Sequence, residues 1–123
     1  MQSKFVAGDL MTILQAVEDA VVKIDHQLRY TSMNSAAENY FKRLGQHPEM
    51  MLGKTLWEVF PQAKGTVVER ELKRAVSDFV PVHYEICFPP NDPDARWYET
   101  QAYPSADGLI LIFRDITARK AAS

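Results

Sequence analysis

Three histidines, one cysteine and two strand-borne glutamates are the residues of this sequence with the most chemistry to offer. His26 falls in a polar turn, Asp25-His26-Gln27; His47 falls in a polar loop; His83 lies on the polar side of an alternating run. No two of them have the chain spacing of a metal-ligand set, so no metal site is expected. Cys87 is the sole thiol. It excludes an internal disulfide and suits a reducing compartment. Its place in a strand makes it a packed or half-exposed side chain rather than a nucleophile. Glu85 and Glu99 are the acids central enough for general acid–base work, which needs titratable groups converging in an apolar cavity. Glu85 shares a face with His83 and is expected to pair with it in water; Glu99 lies two residues from Trp97. The expectation is solvated strand acids, no catalytic residue and no enzyme in this chain.

The elements that carry these residues follow from capping and periodicity. Ser35-Ala36-Ala37-Glu38, Thr55-Leu56-Trp57-Glu58 and Thr66-Val67-Val68-Glu69 share the S/T-x-x-E form. There the hydroxyl and the glutamate each satisfy a free backbone N–H at a helix start. The first predicts a helix with Ala37, Tyr40, Phe41 and Leu44 on one face, closed by Gly45. The second predicts about one turn to Phe60, stopped by Pro61. The third predicts the longest helix, with Val68, Leu72, Ala75, Val76 and Phe79 as its apolar stripe, Glu69 and Lys73 paired on the wet side, and Pro81 as its end. Gln46 to Met51 reads as a loop.

Before these helices, Ala20 to Asp25 and Leu28 to Met33 read as two strands of an antiparallel hairpin. After them the period becomes two. Val82, Tyr84, Ile86 and Phe88 alternate with His83, Glu85 and Cys87. Pro89 to Asp94 is a dense turn signal, Arg96 to Tyr103 the next strand, Pro104 to Gly108 a turn, and Gly108 to Phe113 a last apolar strand. At the other end, Leu10, Ile13, Leu14 and Val17 form one stripe behind a capping Asp9. That helix either covers one end of the core or serves dimerisation. Strands, then helices, then strands give an α+β fold with helices on one face of an antiparallel sheet.

Length and composition set the limits. At 123 residues the chain is one domain, with 46% hydrophobic and 24% charged residues and a net charge of −2. It has room for one core and a small cavity. No basic block recommends nucleic acid as a partner, and no apolar run of membrane-spanning length is present. No secretory leader is apparent, so a cytoplasmic location is expected, although a larger parent protein can be membrane-anchored.

In order and spacing, the chain resembles a PAS domain. The resemblance is carried by Ala20 to Asp25, by Asn34-Ser35-Ala36-Ala37-Glu38, by Leu52-Gly53-Lys54-Thr55-Leu56-Trp57-Glu58-Val59-Phe60-Pro61, by Trp97-Tyr98-Glu99 with Tyr103-Pro104, and by Gly108 to Arg114 closing on Asp115-Ile116-Thr117-Ala118-Arg119-Lys120. It implies a five-stranded antiparallel sheet in order 2-1-5-4-3, and division into a lead-in (1–8), the domain with its N-terminal helix (9–117) and the start of a linker to an output domain (118–123). It also implies a sensory or regulatory module of a two-component protein such as a sensor histidine kinase, with a ligand-free dimerisation or protein-interaction module as the alternative. The expected homodimer uses the N-terminal helix and the sheet face.

The resemblance also bears on cofactors. Haem-binding members carry a ligand histidine on or near the long helix, and Thr66 to Asp78 has none. Light-sensing members place a cysteine in an Asn-Cys-Arg-Phe-Leu type motif before that helix, and it is absent here. Haem and cysteinyl-flavin are therefore not expected, while a non-covalent flavin or small metabolite fits the aromatic content. The implied cavity would be lined by Ile24, Met33, Tyr40, Phe41, Leu56, Phe60, Val68, Leu72, Val76, Tyr84, Ile86, Leu111 and Phe113, residues that equally make a filled core. The polar tips of Tyr40 and Tyr84 would orient a ligand. Signal would leave through Asp115, Thr117 and Arg119. Asp115 and Thr117 suit a helix cap, and Asp115 is expected to pair with Arg119 one turn on.

Overall fold

The computed structural model describes residues 19–122. The helix expected from Asp9 to Glu18 lies outside them. The chain opens on β1 (Ala20–Asp25), whose β-branched residues bury Ala20, Val22 and Ile24 on the core side. The Asp25 carboxylate accepts from the N–H groups of Gln27 and Arg29, both at 2.9 Å, and closes the turn. Leu28 takes a left-handed conformation in that turn (φ 63°), so β2 (Tyr30–Met33) begins two residues later than the apolar pattern implied.

Helix α1 (Ser35–Arg43) starts one residue earlier than expected. Asn34, not Ser35, is its cap, accepting from the Ala37 N–H at 2.9 Å. The expected loop contains a further turn of helix, α2 (Pro48–Met51). Proline presets the first helical position, and Met51 anchors the turn in the core. The next helix, α3 (Leu56–Val59), has the complete capping box of Thr55 and Glu58 and gives way at Pro61 to a 3₁₀ turn, Pro61–Ala63. In α4 (Val67–Asp78) Thr66 caps as expected, but the Glu69 carboxylate accepts from the Gly65 N–H (2.8 Å), one residue before the cap; Lys73 pairs with it at 2.7 Å. Phe79 does not join the stripe. It adopts a left-handed conformation (φ 53°), ends the helix before Pro81 and is 64% exposed.

Three long strands complete the sheet: β3 (Val82–Phe88), β4 (Arg96–Ser105) and β5 (Gly108–Asp115). β4 runs through Pro104, shrinking the expected turn to Ala106-Asp107. Pro104 lies past the last β3 pair, Val82 with Ala102, so its missing N–H costs no ladder bond on that side. All pairings are antiparallel and the order is β2-β1-β5-β4-β3, with β5 in the middle. The helices between β2 and β3 cover one face, and the core lies between them and Ala20, Val22, Ile24, Leu109, Leu111, Phe113, Tyr98, Ala102, Val82 and Tyr84. A last helix, α5 (Thr117–Ala122), leaves the end of β5. Among the described residues no helix is long and apolar enough to cross a membrane.

Candidate functional site

Between the sheet and the helices lies an apolar cavity of about 90 Å³. The pleat of β3, β4 and β5 turns Tyr84, Ile86, Tyr98, Thr100, Leu111 and Phe113 toward it, and α1 adds Tyr40 and Phe41 from successive positions. Its aromatic walls pack edge-on. Tyr40 meets Phe41 at 5.0 Å, Tyr98 at 4.9 Å and Phe113 at 4.8 Å between ring centroids, and Phe60 meets Phe88 at 5.9 Å. Burial pushes the phenols of Tyr30, Tyr40, Tyr84 and Tyr98 upward. They are therefore neutral hydrogen-bonding groups at ordinary pH.

Of the lining residues expected from sequence, Tyr40, Phe41, Leu56, Phe60, Val68, Tyr84, Ile86, Leu111 and Phe113 line the cavity. Ile24, Met33, Leu72 and Val76 do not: Ile24 and Leu72 are buried in solid core, and Met33 and Val76 pack at its margin. Val22, Tyr30, Ala63, Phe88, Tyr98 and Thr100 line it without having been expected. For Tyr98 and Thr100 the alternation of β4 carried the signal, since they share a face with buried Ala102.

A second, polar cleft of about 490 Å³ lies on the other side of Tyr40, Tyr98 and Phe113, which line both spaces. Its charged lining is Asp19, Arg43, Arg114 and Asp115.

The expected signal-transmission residues gather where β5 passes into α5. Asp115 does not pair with Arg119. It pairs with Arg96 of β4 and accepts from the Thr117 N–H (2.9 Å), so it closes the turn into α5. Burial alone would raise its carboxyl, but bonds from Thr117 and Arg96 outweigh this and hold it below its ordinary value. The Thr117 hydroxyl accepts from the Trp97 N–H at 2.9 Å, and Ile116 is buried beneath. Arg119 instead reaches Glu85 (2.9 Å), as does Lys120 (2.7 Å), whose ammonium also stands 4.6 Å from the Trp97 ring.

This pairing has a physical cause. Glu85 and Glu99 sit directly opposite each other in the β3–β4 register, a destabilising like-charge pair unless cations reach it. Arg119 and Lys120 supply them. His83 pairs with Glu99 (2.9 Å) rather than with the expected Glu85. Ligand atoms of His83, Glu85 and Glu99 lie within 4.8 Å of one another, a grouping invisible in chain spacing, and α5 already occupies it with its own cations.

A pH dependence follows for the docking of α5. The hydrogen bond from Lys120 holds Glu85 below its ordinary value, and Asp115 is likewise depressed. Depressed carboxyls stabilise above their unfolded pKa values, about 4, and the stabilisation is lost as pH falls through the folded values. Docking is thus strongest at neutral pH and weakens as pH falls below about 4. The protection factors of amides 117–122, measured from pH 7 to pH 3, are expected to fall before those of β5; a simultaneous fall would contradict independent docking.

The model of the PAS fold family matches residues 14–121. No curated protein matches the chain. Among solved structures it is similar to a PAS domain from Colwellia psychrerythraea (24% identity, TM-score 0.70, covering 91% of this chain and 98% of that one). It is also similar to the PAS domain of BvgS from Bordetella pertussis (21%, 0.65, 93% and 89%). A third is the photoactive yellow protein domain of the sensor histidine kinase Ppr from Rhodospirillum centenum (15%, 0.68, 84% and 90%).

Proposed function

Because the chain belongs to the PAS fold family, we propose that it is a sensory module of a larger signal-transduction protein, a sensor histidine kinase, that binds a small ligand in its core cavity. One observation carries this reading: a single strand connects cavity and exit. β5 places Leu111 and Phe113 in the cavity wall and, two residues on, Asp115 in the turn to α5. A ligand that favours one packing of this strand shifts the population of docked α5. In this reading residues 9–117 form the sensing domain, 118–123 begin a linker to an output domain, and the protein works in the cytoplasm as a homodimer. The similar domain of the kinase Ppr supports the kinase assignment. No catalytic step is part of it.

Two measurements test the proposal. A small-molecule panel is expected to raise the melting temperature of the chain for one ligand class, by about 3 °C or more at a hundredfold excess over Kd. No shift across the panel, with no co-purifying molecule in native mass spectra, would count against sensing. In the full-length protein, Asp115→Ala is expected to uncouple output from input while the domain stays folded; output that still follows the input would defeat the transmission role.

The second reading is a ligand-free association module. Ile110, Ile112, Trp97 and Tyr103 lie on the sheet face away from the helices, and Tyr103 is 41% exposed. Sedimentation of the chain is expected to show a dimer; a monomer at high concentration would remove this reading.

A further inference from the structure

The two spaces on either side of Tyr40 differ in chemistry in a way that specifies a ligand. The inner one is apolar, and at roughly 10–15 Å³ of such space per water-sized group its 90 Å³ admits a short hydrocarbon of about six to nine non-hydrogen atoms. The outer one holds four charged side chains, of which three are committed. Asp19 pairs with Arg114 at 2.6 Å, and Asp115 pairs with Arg96. Arg43, on the last turn of α1, has no carboxylate partner among the described residues. Among the described residues, the cleft therefore presents one cation without a carboxylate partner.

The boundary between the spaces is equally specific. Tyr98 is 6% exposed and Tyr40 is half-buried; neither hydroxyl has a hydrogen-bond partner among the described residues, and both open to solvent, so both are available to a ligand. These two stand at the mouth of the cavity, where their rings touch each other.

We infer that the ligand is a short- or branched-chain monocarboxylic acid, its hydrocarbon end in the apolar cavity, its carboxylate on Arg43 and the hydroxyls of Tyr40 and Tyr98. This rests on the reading of the cavity as a ligand site. A guanidinium fork fits one planar carboxylate. A doubly charged phosphate would need a second cation, and Arg114 is held by Asp19. Rotation of the Tyr40 ring joins the two spaces around the bound acid.

The test uses isovalerate and its neutral isostere isovaleramide, titrated into the 123-residue chain at low salt with methyl NMR on Ile86 and Leu111. Isovalerate is expected to bind about tenfold more tightly than the amide. Arg43→Gln, an exposed substitution, is expected to bring the acid down to the level of the amide and leave amide binding unchanged. Equal binding of acid and amide by the wild type, or equal weakening of both by Arg43→Gln, overturns the carboxylate assignment and leaves the cavity reading standing. Shifts that avoid Ile86 and Leu111, or no binding of either probe, overturn both.

Discussion

Gly108→Ala is expected to abolish the native fold. Gly108 opens the central strand at φ 149°, a conformation L-residues rarely adopt, directly opposite Asp25 of β1. A Cβ there would lie 2.1 Å from the Ile24 carbonyl oxygen, 2.6 Å from Asp25 Cα and 2.8 Å from Asp25 C. All three are backbone atoms, so no side chain can swing aside. Relief requires moving β1 from β5, which would break the register of Leu109 with Ile24 and Leu111 with Val22 and open the cavity wall. Gly45→Ala is the matched control. Its φ is also positive, but a Cβ there meets nothing within 4 Å, and the cost is limited to about 1 kcal/mol of backbone strain. Circular dichroism and amide NMR of both variants check this. A Gly108→Ala protein that melts cooperatively within a few degrees of wild type would refute it.

What the sequence made legible follows the range of each interaction. The β3 alternation and the Thr55–Glu58 capping box are local, and both appear where expected. The strand order 2-1-5-4-3 came from the family resemblance rather than from any residue pattern, and the sheet has it. Membership of the cavity was legible only in part, because periodicity gives the face a residue occupies but not its height on that face. Val22 and Ile24 share a face of β1; only Val22 sits at the level of the cavity, while Ile24 pairs near the closed Gly108 end. Leu72 is on the correct stripe of α4 yet touches core, not space. The exit was less legible still. Arg96 and Asp115 are brought together by the β4–β5 register, Glu85 and Glu99 by the β3–β4 register, and Arg114 with Asp19 by a closure across nearly the whole chain. Spacing along the sequence offered Asp115 the nearer Arg119, and the fold gave Arg119 to Glu85.

Asn34→Ala is expected to lower stability by about 3 kcal/mol, because one buried side chain ties the start of α1 to β1. Asn34 is 1% exposed. Its Oδ1 accepts from the Val21 N–H at 3.0 Å and from the Ala37 N–H at 2.9 Å, while Nδ2 donates to the Asp19 carbonyl at 3.0 Å. Its own N–H donates to the Val21 carbonyl at 3.0 Å and survives the substitution. Alanine leaves the Val21 N–H, the Ala37 N–H that the cap satisfies and the Asp19 carbonyl without their partner, each worth about 1 kcal/mol or more. At roughly 4 °C per kcal/mol for a chain of this length, the melting temperature falls by about 12 °C. Asn34→Asp separates the causes: it keeps the acceptor for Val21 and Ala37 but loses the donor to Asp19, so it should recover about half of the loss. The consequence for function is directional. α1 carries Tyr40 and Phe41 of the cavity wall and Arg43 of the cleft, and Asn34 fixes its start against β1. Asn34→Ala should therefore broaden the Tyr40 and Phe41 ring resonances at temperatures where the sheet is still intact. A variant melting within about 2 °C of wild type, with sharp ring signals, would show that α1 is held by its apolar face alone.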